Sequence, residues 1–155
     1  LYVVKSISKS YGVPGLRLGV LASGDVETIA QLKREVAIWN INSFGEFYMQ
    51  IYEKYHNDYL KACELFREER KLFFEELKQV PFLRVIPSQA NYFLCELQTE
   101  KFTSKELAIR LLADHEILIK DCSGKSAFSH SNYIRLAVRD RDDNHKLVEA
   151  LKHYI

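Results

Sequence analysis

Ser6-Ile7-Ser8-Lys9-Ser10-Tyr11-Gly12-Val13-Pro14-Gly15-Leu16-Arg17-Leu18-Gly19 is the stretch whose residue types could do chemistry. Lys9 follows a strand-like run and stands at the start of a turn. An amine held there is expected to be partly desolvated, and a desolvated amine is the better nucleophile toward an aldehyde. Ser6 and Ser8 place hydroxyls on its N-terminal side, and Arg17 places a guanidinium after the turn. Hydroxyls with a guanidinium are what a phosphate monoester needs. Gly12 and Gly15 let the backbone come close to a ligand. Together these groups would tether a molecule with an aldehyde at one end and a phosphate at the other. On spacing alone a plainer reading stays open, in which a surface lysine and arginine flank a common glycine turn.

The elements that must position these residues can be read from periodicity. Residues 1–7 and 16–22 are apolar and β-favouring and are expected as two short buried strands. Two glycines and a proline between them argue against helix or strand there. Asp25 is placed to cap a helix over residues 26–34. Asn42-Ser43 precedes residues 44–78, where Phe47, Ile51, Tyr55, Tyr59, Ala62, Phe66, Phe73 and Leu77 recur at helical spacing. One long amphipathic helix, or two in line, is expected there, ended by Pro81. A helix of that length would run roughly 50 Å, long enough to bridge two lobes. Its aromatic stripe reads as core packing, and Trp39 as packing at the hinge between lobes. Beyond it the pattern becomes β-β-α-β-β-α. The strands are expected over 83–86, 91–97, 117–120 and 133–138. The helices are a Ser104-capped one to Asp114 and a last one over 142–154, with a polar loop over 121–131.

Composition bounds the function classes. The chain has 155 residues, 47% of them hydrophobic and 28% charged, enough apolar content for a packed core. A formal net charge of +1 gives no basic field for nucleic acid. No apolar run approaches the roughly 20 residues that cross a bilayer, so no membrane partner is expected. Cys63, Cys95 and Cys122 are odd in number and far apart, which fits neither a disulfide framework nor a zinc pattern and suits a reducing cytoplasm. His56, His115, His130, His145 and His153 show no metal spacing, so no metal is expected. The chain opens on Leu1-Tyr2-Val3-Val4, inside a strand-like run and without Met, and reads as a piece of a longer protein with no signal-peptide core in its first ten residues.

The stretch around Lys9 resembles the S-x-S-K-x-x-x-x-x-G-x-R-x-G signature of class I/II aminotransferases, fold type I enzymes that use pyridoxal 5'-phosphate (PLP). Gly12-Val13-Pro14-Gly15-Leu16-Arg17-Leu18-Gly19 is closest to the histidinol-phosphate aminotransferase and threonine-phosphate decarboxylase branch. Two later stretches agree. Pro87-Ser88-Gln89-Ala90-Asn91-Tyr92-Phe93-Leu94 resembles the family's P-S-x-A-N-F segment. Ile119-Lys120-Asp121-Cys122-Ser123, with Asn132-Tyr133-Ile134-Arg135-Leu136-Ala137-Val138-Arg139, resembles its "I-R-D-C-S" loop and "Y-I-R-V-A-V-R" strand.

The resemblance implies an α/β fold: the end of the large PLP-binding domain over residues 1–42, then the small C-terminal α/β domain over 43–155 with its long connecting helix. It implies that Lys9 forms the internal aldimine, that Arg17 and Ser6 hold the cofactor phosphate with Ser8 assisting, and that Arg135 binds the substrate α-carboxylate. For Arg135 the plainer alternative is a salt bridge to Asp140 or Asp142. Arg139 stands between a second acidic group of the substrate and solvent, Cys122 reads as a spectator, and no role attaches to Tyr11 or Gly12. The implied activity is that of a PLP-dependent aminotransferase acting on a small-molecule amino acid or phosphorylated amino acid, as a homodimer when full length. The alternatives are a PLP-dependent amino-acid-phosphate decarboxylase and a non-catalytic remnant serving as a binding module. The family's acidic partner for the pyridine nitrogen, its ring-stacking aromatic and its glycine-rich turn precede the lysine and are not in this sequence. Little activity and weak cofactor affinity are therefore expected of this polypeptide alone.

Overall fold

The computed structural model describes residues 1–125 and 132–155. Of the loop expected over 121–131, residues 126–131 lie outside the described residues, His130 among them. The chain divides into two compact units, Leu1–Ala62 and Cys63–Ile155.

In the first unit β1 (Tyr2–Ser6) pairs antiparallel with β2 (Gly19–Ser23), from Tyr2 opposite Ser23 to Ser6 opposite Gly19. Between them lie α1 (Ile7–Ser10), a single helical turn, and a 3-10 turn at Pro14–Leu16. Lys9 therefore sits on helical backbone, where glycine and proline content argued against it; the breakers at Gly12 and Pro14 come after the turn is complete. Asp25 caps α2 (Val26–Glu35), accepting from the Thr28 N–H at 3.0 Å. Asn42 caps α3 (Ser43–Ile51), accepting from the Gly45 N–H at 2.9 Å. A 3-10 turn at Glu53–Tyr55 then leads into α4 (His56–Leu77), which runs past the point where the chain divides.

The expected burial of β1 and β2 is not found: every residue of the two strands is exposed except the half-buried Ser23, with Val4 at 79%. A two-stranded ribbon has no third strand or helix layer over its faces, so its apolar residues have nothing to be buried against. Trp39, expected to pack, is 90% exposed, and Phe44 is 77% exposed.

The second unit has a core. Its four antiparallel strands are β3 (Leu83–Ile86), β4 (Tyr92–Leu97), β5 (Lys120–Asp121) and β6 (Tyr133–Ala137), in the order β3-β4-β6-β5. Strand residues alternate between the two faces. Phe93, Cys95 and Leu97 of β4 and Ile134 and Leu136 of β6 point inward. They meet Phe73 and Leu77 of α4, Leu107 and Leu111 of α5 (Ser104–His115), and Leu147, Val148 and Leu151 of α6 (Arg141–Lys152). Burial pushes the Cys95 thiol up to about 12. The cap of α5 is Thr103 rather than Ser104. Its hydroxyl accepts from the Glu106 N–H while Glu106 accepts from the Thr103 N–H, a reciprocal capping box.

Candidate active site

Four of the five candidate residues lie on the β1–β2 hairpin. Its ladder continues one step past Ser6 and Gly19, with the Ile7 N–H donating to the Leu18 carbonyl at 3.0 Å. Ser8 and Arg17 are the next residues on the two sides of that bond. The register thus draws both ends of the motif to one end of the hairpin, hydroxyls on one side and guanidinium on the other. Ser6 is exposed and Ser8 is buried. Lys9 is exposed as well, so the expected desolvation of its amine is absent from this chain, for the same reason that β1 is uncovered.

Two positions in the turn adopt the left-handed region, Gly12 at φ 68 and Arg17 at φ 55. Glycine is at ease there; an arginine is strained. The Arg17 guanidinium donates to the Pro14 carbonyl at 3.3 Å, and among the described residues it forms no salt bridge. Asn42 ties the turn to α3: its Nδ2 donates to the Leu16 carbonyl at 2.9 Å while its Oδ1 caps the helix. A cleft of about 350 Å³ opens beside the turn, lined by Arg17, Tyr11, Asn40, Tyr48 and Tyr52 among others. Lys9, Ser6 and Ser8 do not line it.

The fifth candidate is in the second unit. Alternation along β6 buries Ile134 and Leu136 and turns Arg135 to the other face. No salt bridge to Asp140 or Asp142 is present; the guanidinium lies over the Tyr92 ring, 5.1 Å from its centroid. Arg135 lines a cavity of about 810 Å³ together with Lys120, Asp121, Arg139, Asp143 and Lys146. Arg139 also lines it, but its guanidinium is bonded to the Asp143 carboxylate, which raises its pKa further. Asp121 is pushed up by burial, yet hydrogen bonds from Ser123 and Ser104 leave it below the usual carboxylate range.

Reading the sequence alone misses Lys120. It is the cross-strand partner of Arg135 in the β5–β6 ladder. Like charges directly opposite one another destabilise a sheet, and neither cation forms a salt bridge among the described residues. Its signal in the sequence was a basic residue before Asp121, whose register could not be read.

Comparison with known proteins supplies the class. The model of the family "Aminotransferase class I and II" matches residues 1–151, and the chain belongs to that family. The family is PLP-dependent. The chain is 36% identical over 153 residues to the CMP-5'-(3-aminopropyl)phosphonate synthase of Streptomyces rubellomurinus, covering 99% of this chain and 24% of that protein. It is 31% identical over 155 residues to the threonine-phosphate decarboxylase of Salmonella typhimurium, covering 100% of this chain and 41% of the relative. The crystal structure of the histidinol-phosphate aminotransferase from Clostridium acetobutylicum superposes with a TM-score of 0.85 at 30% identity, over 99% of this chain and 45% of that one. The mixed α/β architecture is thus that of the PLP-dependent aminotransferases. The chain spans less than half the length of each of these relatives.

The residues present fit the cofactor by their chemistry. They offer an amine for the aldehyde, serine hydroxyls and, for the phosphate, an arginine that forms no salt bridge among the described residues, on a turn whose register brings their backbones together.

Proposed function

We propose that this chain is the lysine-bearing, C-terminal part of a PLP-dependent aminotransferase for an amino acid or phosphorylated amino acid. In that reading residues 1–42 end the large domain and residues 43–155, with the long connecting helix, form the small one. Lys9 holds the cofactor through its amine; Ser6, Ser8 and Arg17 hold its phosphate; Arg135 grips the substrate carboxylate. The observation that carries the reading is the hairpin ladder, which brings the serine side and the arginine side of the motif to one end.

When bound, the cofactor supplies an electron sink for the reacting carbon. The Lys9 Nζ takes a proton from the substrate Cα and returns it elsewhere, as general base and then general acid. Arg135 orients the carboxylate through paired hydrogen bonds. Lys120, opposite Arg135, adds a second cation to the same cavity, which supports a substrate with more than one anionic group. A decarboxylase of a phosphorylated amino acid is the second reading, favoured by the same cation pair and by the similarity to threonine-phosphate decarboxylase. The whole protein is proposed to be a cytoplasmic homodimer, and this polypeptide alone to have little turnover.

Incubation with PLP, borohydride reduction and peptide mass mapping tests the lysine. Tagging concentrated on Lys9 and absent from Lys9→Ala is expected, and in the whole enzyme Lys9→Ala lowers turnover by ~10²–10⁴-fold. Tagging spread evenly over all lysines overturns the reading in favour of a non-catalytic module. Keto acid against carbon dioxide as product separates the transaminase from the decarboxylase.

A further inference from the structure

Lys9 stands on very little. Helix α1 has four residues, and the hydroxyl of Ser6, its N-cap, makes no capping bond. A single helical turn is not stable by itself, because nucleation fixes several residues for one hydrogen bond. Something outside the turn must fix its backbone.

The structure shows what does. The Tyr59 hydroxyl donates to the carbonyl of Ser10, the residue after Lys9, at 2.9 Å and from 49 positions away in sequence. The ring of Tyr11, the next residue, is packed against two others. Tyr59 lies 4.8 Å away, tilted by 38°, and Tyr52 lies 5.3 Å away edge-on. Tyr52 is itself held by a 3.0 Å hydrogen bond between its hydroxyl and His56 Nδ1. The Lys5 ammonium sits 5.4 Å from the Tyr11 ring centroid on the other side of the motif. Pairs at these separations each contribute in the range of aromatic contacts, beyond the area they cover. Their carriers are the end of α3 and the start of α4, all within the first unit.

We infer that Tyr59 and Tyr11 form an aromatic clamp on the C-terminal side of Lys9, acting as positioning residues for its amine. The inference rests on the reading of Lys9 as the cofactor-bearing lysine. The clamp acts through backbone: the Ser10 carbonyl is anchored by one hydroxyl and the Tyr11 side chain by two rings, so the Lys9 Cα between Ser8 and Ser10 has a fixed direction. An amine whose stem is aimed reacts with a phosphate-anchored aldehyde as within one molecule; a fraying turn loses that advantage.

The test compares the purified chain with Tyr59→Phe, Tyr11→Leu and Tyr11→Phe. Amide hydrogen exchange of residues 10–12 is read without cofactor. Each form is then incubated with PLP over a pH series and reduced with borohydride, and the ratio of tagged Lys9 to tagged Lys33 is measured by peptide mass. Lys33, on α2, serves as internal reference. Tyr59→Phe keeps the ring and deletes one hydrogen bond, so exchange there is expected to rise ~fivefold with the unfolding midpoint unchanged. The Lys9-to-Lys33 ratio should fall at least ~threefold in Tyr59→Phe and Tyr11→Leu, with a displaced pH profile, and recover in Tyr11→Phe, which keeps the stacked ring. Preferential tagging of Lys9 that is the same in all four forms overturns the clamp and leaves the lysine's role standing. A wild-type ratio no higher than that of an ordinary surface lysine overturns both.

Discussion

The two units differ in how they use similar apolar material. Cys63–Ile155 buries Phe73, Phe93, Leu107, Ile134 and their neighbours in one core, with helices against a four-stranded sheet. Leu1–Ala62 buries only Ser8 and Gly45, although β1 and β2 carry Val3, Val4, Val20 and Leu21. Apolar residues become a core only when a second layer encloses them, and a two-stranded ribbon supplies none. The second unit therefore carries its stability with it, and the unit bearing Lys9 holds its turn by discrete polar and aromatic contacts.

Point mutations should expose that contrast. Phe93→Ala, in the middle of the core, is expected to cost about 3–5 kcal/mol by urea unfolding, while Val4→Ala stays within about 0.5 kcal/mol. Equal costs would dissolve the distinction between the units. Asn144 is next. It is buried, its Nδ2 donates to Glu69 at 2.8 Å and to the Arg139 carbonyl at 3.0 Å, and its Oδ1 accepts from the Arg139 N–H at 2.9 Å. Asn144→Ala should cost about 1–3 kcal/mol in the same measurement, because it strands those partners. Thr103→Ala removes the capping box of α5 and should cost about 1 kcal/mol.

The smallest effect belongs to the first unit and depends on pH. Hydrogen bonds from the Tyr2 hydroxyl at 2.6 Å and from Thr28 hold the Asp25 carboxyl at about 2, below its ordinary 3.8. A depressed carboxylate stabilises the folded form above its unfolded value, and that contribution fades as pH falls from 3.8 through about 2. Since Asp25 is fully exposed, the change should be slight. An NMR titration of its carboxyl in the wild type and in Tyr2→Phe would show it, the variant titrating nearer the ordinary value.

Strands at 83–86 and 133–137 and the helices after them were legible because their alternation and spacing match a sheet covered by helices within the same unit. The burial of residues 1–7 and of Trp39 was misread because periodicity reports which residues want cover and not whether cover is near. The cap of α5 was misplaced by one residue although Thr103 and Glu106 carried the spacing of a reciprocal cap. At the candidate site, the types of Lys9, Ser6, Ser8, Arg17 and Arg135 could be read from local motifs. Lys120 against Arg135 needed the β5–β6 register, and Tyr59 on Ser10 needed the return of a helix far along the chain.

Arg17 shows what the site asks of the backbone. Its left-handed conformation is one that glycine adopts freely and arginine adopts under strain. Any search for a sturdier turn would favour Arg17→Gly, and the same change would remove the only guanidinium on the hairpin. Robustness and anion binding thus make opposite demands on a single residue, and a version of this chain selected for endurance would be expected to surrender its ligand there first.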